Sequence, residues 1–434
     1  MKKAAFYTLG CKVNQYETEA MTELFKKRGY EITDFSSPAD VYVINTCSVT
    51  SISDRKSRQI IRRAKKENPN SIVIATGCYA QVAPDEVLGI EDVNLIIGTN
   101  DRNRIVDMAE SITHEDKKSL VGDILKTHTF EEMKVSDYEH MTRAYIKIQE
   151  GCNQFCSYCI IPYARGPIRS RDPEEVVAEA KRLAADGFSE IILVGIHIAS
   201  YGLDSKKSSL ADIILRVNAV EGVRRIRLSS IEPMTLNSEF IEKISAADKL
   251  CHHFHLSLQS GCGETLKRMN RRYTPEEYEE IVNAIRTHFP DAAVTTDIMV
   301  GFPGETDEEF TKSAAFADKM KFADMHIFQY SVRPGTPAAK YKNQVNPQVK
   351  EMRSKVLEKI RNKNTADFLL GLVGCKTEIL FERSIKGHDD IYEGKTSNYV
   401  NVHVKSDTDL SFQYKTVYIE KIDGETAIGR IAED

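Results

Sequence analysis

Three cysteines within eight residues constrain this chain more than any other feature of its sequence. They are Cys152, Cys156 and Cys159 in the stretch GCNQFCSYC, directly after the predicted strand AYIKI at 144–148. A structural zinc ion usually takes four protein ligands, so a compact group of three fits zinc only if a distant residue completes it. In an iron–sulfur cluster of four irons, three cysteines leave one iron open to a ligand that is not protein. The spacing favours the cluster.

Length and composition indicate a large globular protein. At roughly 150 residues per domain, 434 residues are enough for about three domains, and 41% of them are apolar. No apolar run approaches the roughly 20 residues that cross a bilayer, and MKKAAFYT leads into a strand pattern rather than a signal peptide. We therefore expect a cytoplasmic protein with no membrane partner. An odd count of nine cysteines favours reduced thiols and metal or redox chemistry over disulfides.

The first part of the chain, residues 1–112, alternates short apolar runs with helical patterns. This alternation predicts an α/β domain with a mainly parallel sheet. The predicted strands are 3–8, 41–44, 71–75 and 94–97.

The middle of the chain repeats strand and helix patterns after a polar segment, 113–140, that we interpret as a linker. Repeated strand–helix units over 141–368 predict a partial (β/α)6 barrel, whose site should lie at the carboxyl ends of the strands. The six predicted strands are 144–149, 190–195, 223–229, 253–258, 293–300 and 325–331.

The last part, residues 369–434, alternates strand patterns with turns rich in Gly and Asp. The strand patterns are TEILFE at 377–382, YVNVHV at 399–404 and TVYI at 416–419. They predict a small antiparallel β-barrel.

A second group of three cysteines is spread over the first domain. Cys11, Cys47 and Cys78 each come just after a predicted strand. An open parallel sheet binds its ligands along the carboxyl edge of its strands, so the three can converge there. They predict a second cluster with a free iron. Packing explains the remaining cysteines, Cys251, Cys262 and Cys375.

Basic residues are concentrated in a few segments, although the formal net charge is −5. Between positions 55 and 66 no acid interrupts a helical pattern that we expect to open at Asp54 and to close before Pro69. Its basic face is either simply solvated or an RNA contact, and KRMNRR at 267–272 is a second such segment. The candidate RNA-binding residues are Arg55, Arg58, Arg62, Arg271 and Arg272.

Four motifs together resemble the radical S-adenosylmethionine methylthiotransferase family, and the match runs from the first strand to the last barrel. The motif TLGCKVNQYE (8–17) is similar to the opening of the branch that acts on N6-threonylcarbamoyladenosine in tRNA. The terminal barrel resembles the TRAM module, an RNA-binding fold. The other three motifs are GCNQFCSYCIIPYARG (151–166), SLQSG (257–261) and VGFPGET (300–306).

The resemblance implies two [4Fe-4S] clusters with different tasks and S-adenosylmethionine as cofactor. Cys152, Cys156 and Cys159 would be catalytic and hold the cluster that generates the radical. The other triplet would hold the auxiliary cluster, which delivers sulfur to carbon 2 of the adenine beside the anticodon. One S-adenosylmethionine would methylate the sulfur, and a second would yield the radical. The implied partners are tRNA carrying threonylcarbamoyladenosine and an electron donor such as flavodoxin or ferredoxin.

Residues at the strand ends of the barrel are candidates for binding the cofactor. The resemblance implies that Gly195 lies by its amino group and Gly301 by its adenine. Polar side chains at the ends of the third and fourth strands are candidates for carboxylate and ribose contacts, with packing as the alternative. These residues are Arg227, Ser229, Ser257 and Gln259.

The charge of the last domain keeps other interpretations open. Residues 371–434 contain 8 Lys or Arg against 12 Asp or Glu, whereas phosphate binding requires positive charge. Related branches modify isopentenyladenosine in tRNA or an aspartate of a ribosomal protein, and a basic protein substrate would suit an acidic barrel. An alternative of another class is a noncatalytic RNA-binding protein with structural zinc.

Overall fold

The first unit of the protein is an α/β domain, seen in a computed structural model that describes residues 1–135 and 142–432. Its elements are β1 (Lys3–Thr8), α1 (Lys12–Lys27), β2 (Glu31–Thr33), β3 (Val41–Thr46), α2 (Ser51–Glu67), β4 (Ile72–Gly77), α3 (Cys78–Val82), α4 (Pro84–Leu88), β5 (Leu95–Ile96), α5 (Ile105–Glu110) and β6 (Lys118–Ser119). All six strands are parallel, in the order β2-β1-β3-β4-β5-β6. Separate apolar clusters cover the two faces of the sheet, which confirms the predicted fold.

The start of α2 differs from the prediction. Its N-cap is Thr50, whose hydroxyl accepts a hydrogen bond from the Ser53 amide, so the helix begins three residues before Asp54. Asp54 instead accepts hydrogen bonds from Ser48 and from Arg333 of the central domain. Asp54 therefore does not open α2 and instead joins the first domain to the central domain.

The helix α1 contributes to two cores at once. Met21 and Phe25 pack with the strands of the first sheet. Tyr16 and Ala20, one turn earlier, belong to the core of the central domain, and the Tyr16 hydroxyl donates to the Met133 carbonyl at 2.6 Å. The first domain is therefore packed onto the second through a shared helix.

The segment predicted as a linker is partly ordered structure. Strand β6 lies within it and pairs with β5 at the edge of the first sheet. Ile124, Met133 and Val135 are buried further along. Residues 136–140 of this segment lie outside the described residues.

The central domain is a barrel that does not close. Its elements are β7 (Ala144–Glu150), α6 (Ile161–Arg165), β8 (Arg169–Ser170), α7 (Pro173–Ala185), β9 (Glu190–Gly195), α8 (Leu210–Asn218), β10 (Arg225–Leu228), α9 (Ser238–Ser245), β11 (His253–His255), α10 (Gly263–Arg268), α11 (Pro275–His288), β12 (Ala293–Val300), α12 (Asp307–Met320), β13 (Asp324–Gln329) and α13 (Pro347–Leu370). The sheets β10-β9-β7-β8 and β11-β12-β13 are joined by parallel bridges such as Ile231 to Leu256. The six predicted strands are confirmed, and β8 adds a short antiparallel edge.

The register of β11, β12 and β13 decides which side chains face the inside of the barrel. His255 pairs with Thr295, and Asp297 pairs with His326, so these four share one face of the sheet. The alternate residues, such as Phe254, pack in the core beneath the helices. Because side chains alternate along a strand, the polar set lines the barrel interior.

The last domain is a five-stranded β-barrel. Its strands are β14 (Lys376–Ile385), β15 (His388–Lys395), β16 (Asn401–Lys405), β17 (Tyr414–Asp423) and β18 (Thr426–Ile431). They form a ring in the order β14-β15-β16-β18-β17. Four of the pairings are antiparallel as predicted, whereas β16 and β18 run parallel.

A buried charge network joins the first two domains. Glu17 of α1 forms an ion pair with Arg102 at 2.5 Å, and it accepts hydrogen bonds from Arg165 at 2.6 Å and from Lys147 at 2.7 Å. Glu131 pairs with Arg102, and Glu150 pairs with Arg165 and Lys147. Three cations thus meet three carboxylates away from water, and buried charges are stable only when paired in this way.

In the part of the chain that the structure describes, no helix is both long enough and apolar enough to span a membrane.

Replacing Glu17 with Ala should destabilise the protein by about 3–5 kcal/mol, because it leaves an unpaired cation in the buried network. Denaturant unfolding of the apo chain would measure this loss. The matched control is Glu351→Ala, which removes an exposed partner of Lys355 and should cost less than about 1 kcal/mol. Equal losses for the two variants would contradict the role given to the network.

Candidate active site

The loop after β7 carries three cysteines in a fixed conformation. The Cys159 amide donates to the Cys156 carbonyl at 2.9 Å, and the Cys152 amide donates to the Gly166 carbonyl at 3.0 Å. Gly151 precedes the loop with φ of +74°, and a Cβ there would meet the Pro167 carbonyl oxygen at 1.9 Å. Only glycine fits this turn. The loop follows β7, so the three cysteines lie at the carboxyl end of this barrel strand.

Burial opposes charge on two of these thiols, Cys152 and Cys159. It raises the pKa of Cys152 to about 11 and the pKa of Cys159 to about 12. Thiolates are the metal-binding form, so the loop needs nearby positive charge to hold three of them.

Arg271 supplies positive charge at this loop. Its guanidinium donates to Cys156 Sγ at 3.3 Å, to Glu232 at 2.7 Å and to the Ser257 carbonyl at 3.0 Å. Its side chain is only 6% exposed. The structure places the side chain of Arg271 inside the barrel mouth, away from the exposed surface at which we predicted an RNA contact.

The second triplet converges at one edge of the first sheet. Cys11 is the N-cap of α1 after β1, Cys47 follows β3, and Cys78 follows β4. Electrostatic interactions couple Cys78 with the other two, and burial raises its pKa to about 12. A Cβ on Gly10 would meet Cys47 Sγ at 3.0 Å, which leaves room only for glycine beside the group.

One arginine connects the two triplets. The short helix α6 begins two residues after Cys159 and ends at Arg165. Its five residues span about 7.5 Å. Arg165 then donates from Nε to Cys78 Sγ at 3.2 Å and from a terminal nitrogen to Asn14 Oδ1 at 2.5 Å. Arg165 therefore links the segment that carries the first triplet to a cysteine of the second across the boundary between the domains.

The spread of the thiols distinguishes the kind of metal centre. Ligands at about 2.3 Å from a zinc ion lie within about 4 Å of one another. Among the described residues, neither triplet brings three ligand atoms within 4.8 Å of one another, and only His255, Asp297 and His326 do so. Each triplet suits a cluster of several irons better than a single ion.

Two predicted cofactor residues have clear packing roles. A Cβ on Gly195 would meet Gln149 Cβ at 3.0 Å, and a Cβ on Gly301 would meet Lys350 Cγ at 2.3 Å. The Gly301 amide also donates to Glu305 at 2.6 Å. Both glycines allow close approach of neighbouring protein segments.

Arg227 has a different role from the one predicted. It donates to Glu190 at 3.1 Å and to the Ser397 carbonyl at 3.0 Å, and it lies 4.5 Å from the ring centre of Tyr399. Its guanidinium joins the barrel to the last domain. Protein groups accept hydrogen bonds from each of its nitrogens, so the structure does not bring this residue together with the other predicted cofactor residues.

The other polar candidates follow the ends of β10 and β11. Ser257 donates to Asp297 at 3.4 Å, and its carbonyl accepts from Arg271. Gln259 adopts φ of +65° and exchanges backbone hydrogen bonds with β12. Ser229 has a buried hydroxyl without a hydrogen-bond partner in the described part of the chain.

The predicted RNA-binding residues divide by exposure. Arg55, Arg62 and Arg272 are exposed, and none of them has a salt bridge to another described residue. Arg58 already has partners within the protein, because its guanidinium group donates to Tyr79 at 2.7 Å and to Glu86 at 2.8 Å.

Sequence reasoning missed Arg165 as a site residue. The segment RGPIRSR (165–171) is basic in sequence, yet Arg165, Arg169 and Arg171 are all buried. A signal was present, because Arg165 lies inside the motif that carries Cys152. The partner Cys78 lies 87 residues away, and no local pattern links the two.

Comparisons with known proteins agree with this architecture. The radical SAM superfamily matches residues 146–317, and a family described as uncharacterized protein family UPF0004 matches residues 3–98. A solved structure of the radical S-adenosylmethionine methyltransferase TsrM from Kitasatospora setae has a TM-score of 0.58 at 16% identity, covering 78% of this chain and 77% of that one. At this identity the likeness shows the fold alone.

Relatives of known name cover nearly the whole chain. The threonylcarbamoyladenosine tRNA methylthiotransferase MtaB of Bacillus subtilis is 44% identical over 94% of this chain and 92% of its own. The protein of the same name from Thermotoga maritima is 35% identical over 94% and 95%. A tRNA-2-methylthio-N(6)-dimethylallyladenosine synthase of Clostridium botulinum is 35% identical over 95% and 93%. The chain belongs to the radical S-adenosylmethionine methylthiotransferase family, MtaB type.

Proposed function

We propose that this chain converts N6-threonylcarbamoyladenosine, next to the anticodon of tRNA, to its 2-methylthio derivative. One observation carries the proposal: Arg165, which lies in the motif of Cys152, Cys156 and Cys159, donates to Cys78 of the other triplet across the domain boundary. The relatives named MtaB support the choice of substrate, since they include the one at 44% identity.

Each triplet has a separate task in this proposal. Cys152, Cys156 and Cys159 hold the [4Fe-4S] cluster beside S-adenosylmethionine. Cys11, Cys47 and Cys78 hold the auxiliary [4Fe-4S] cluster. When bound, these groups supply the electron, the radical and the methylated sulfur that replacement of an unactivated aromatic hydrogen requires.

The two arginines at the triplets stabilise negative charge on the ligand sulfurs. Arg271 donates to Cys156, and Arg165 donates to Cys78, each at hydrogen-bond distance. Hydrogen bonds to ligand sulfurs and low exposure to solvent tune metal centres of this kind. Glu232 and Glu17 hold the two guanidinium groups in place.

The cofactor lies against the strand ends of the barrel in this proposal. Ser257 and Gln259 support ribose contacts, since both are next to the loop of Arg271. Gly195 and Gly301 keep the strand ends close-packed beneath it.

The tRNA contacts involve more than the last domain. Arg55 and Arg62 on α2 and Arg272 beside the barrel mouth present exposed positive charge. The TRAM-like barrel adds a polar surface of mixed charge. A reductant such as flavodoxin or ferredoxin supplies electrons, which places the reaction in the cytoplasm.

Nucleosides of tRNA from cells that lack this protein would test the proposed function. We expect the methylthio derivative of threonylcarbamoyladenosine to disappear and its precursor to accumulate, and restoring the gene should reverse both changes. Mass spectrometry separates the two nucleosides. Loss of methylthio-isopentenyladenosine instead would assign the chain to the other tRNA branch, and an unchanged profile would reject tRNA as the substrate.

The two triplets should respond differently to substitution. Cys156→Ala should abolish the formation of 5′-deoxyadenosine and retain the auxiliary cluster. Cys47→Ala should retain cofactor cleavage and lose the methylthio product. Each variant should hold about half the iron of the wild type.

Cys375→Ala is the matched control, because Cys375 is an exposed thiol distant in sequence from both triplets. It should keep full iron content and activity. Methylthiolation at the wild-type rate by Cys47→Ala would remove the second cluster from the proposal.

Removing the exposed charges of α2 should weaken tRNA binding. Replacing Arg55 and Arg62 together with Ala should lower the slope of log Kd against log salt by roughly 1–2, since each lost phosphate contact contributes about 0.7–0.9. Filter binding over a salt series measures the slope. The control double variant, Lys355→Ala with Lys359→Ala on the exposed side of α13, should leave it unchanged.

A further inference from the structure

All three domains line a cavity of about 680 Å³ inside the open side of the barrel. The first domain contributes Lys12, the residue after Cys11, and the last domain contributes Tyr399. The barrel contributes Ser229 and the inward face of β11 and β12. The cavity wall therefore includes the residue next to Cys11 of the auxiliary triplet and a residue directly after β10 of the barrel.

The ammonium group of Lys12 lacks a negative partner in this cavity. No carboxylate of the described residues lies within salt-bridge distance of it, and its nearest aromatic contact is the Tyr399 ring at 5.8 Å. Arg227 lies 4.5 Å and Lys395 lies 4.4 Å from the centre of the same Tyr399 ring, so three cations surround this ring. The surroundings of Lys12 favour binding of an anion.

Two further polar groups in the wall lack hydrogen bonds. The Ser229 hydroxyl and His253 Nδ1 are buried, and neither has a partner among the described residues. A buried polar group is destabilising when it stays unpaired, so each one favours a polar ligand.

A chain of hydrogen bonds determines what His253 Nδ1 requires. His255 Nε2 lies 3.2 Å from Asp297, so with His255 neutral this nitrogen donates and its Nδ1 accepts from the Thr295 hydroxyl at 2.9 Å. The Thr295 oxygen in turn accepts from His253 Nε2 at 3.2 Å. In neutral His253 the remaining nitrogen, Nδ1, is then an acceptor and needs a donor from the ligand.

We propose that this cavity binds the threonyl end of the substrate's N6 substituent, with its carboxylate on Lys12 and a hydroxyl or N–H group donating to His253 Nδ1. The inference rests on the proposed function and names the part of the chain that recognises the substituent. A threonylcarbamoyl group carries a carboxylate, a hydroxyl and N–H donors. A dimethylallyl group carries none of these, so it would leave Lys12, Ser229 and His253 unpaired.

The first test is a thermodynamic cycle that combines one change in the enzyme with one change in the substrate. Lys12→Met should lower kcat/KM for tRNA with threonylcarbamoyladenosine by roughly 10- to 100-fold, the range for a lost hydrogen bond to a charged group. A methyl ester of the threonyl carboxylate should cost the wild type a similar factor and cost Lys12→Met little more. Independent, multiplied losses would overturn the assignment. Lys355→Met, an exposed lysine on α13, is the control for the change of residue type.

A second variant distinguishes the loss of a ligand contact from a loss of stability. Ser229→Ala removes a hydroxyl that has no protein partner, so its free energy of unfolding should stay equal or rise. Its kcat/KM for the same tRNA should fall roughly 5- to 20-fold, and unchanged kinetics would contradict the ligand contact. A wild-type enzyme that never methylthiolates this tRNA would reject the proposed function itself, which separates the two failures.

Discussion

The arrangement of the whole molecule depends on how Glu17 is buried. One carboxylate, fully removed from water, holds cations from three separate segments of the chain: Arg102, Lys147 and Arg165. None of these charges would be tolerated in the interior of its own domain without the others. The first domain and the barrel therefore complete a single electrostatic core when they meet. Because Arg165 also contacts Cys78, the same core fixes the position of one cysteine triplet relative to the other.

The sequence was informative where structure is local. Strand and helix periodicity predicted the parallel sheet and the six barrel strands, and turns after strands located all six cysteines at strand ends. The sequence was misleading about the roles of arginines, because it does not show which carboxylate or carbonyl group an arginine contacts in the folded protein. Arg271 and Arg227 looked available for RNA or cofactor, yet carboxylates distant in sequence hold both. The predicted start of α2 was wrong for a related reason, because the Asp54 carboxylate pairs with Arg333 of the central domain and does not cap its own helix.

The acidic character of the last domain has a structural explanation. Arg225 of the barrel pairs with Glu378 and donates to the Lys395 carbonyl, and Arg224 pairs with Glu378 and lies over the Tyr414 ring. Part of the negative charge of this domain therefore meets the basic segment 224–227 of the barrel rather than solvent. The sequence-level charge count misjudged the surface because it could not assign charges to an interface.

Helix α1 has a consequence for how such proteins can change. It starts immediately after Cys11, presents Lys12 to the cavity, and positions Glu17 in the charge network. Inserting or deleting one residue between Lys12 and Glu17 would rotate one of them by about 100° and shift it by about 1.5 Å relative to the other. Such a change would disturb the cysteine triplet, the cavity and the contact between the domains at the same time. Diversification of this segment is therefore restricted to substitutions at constant length, and new substrate preferences have to arise from exchanged side chains on an unchanged helical frame.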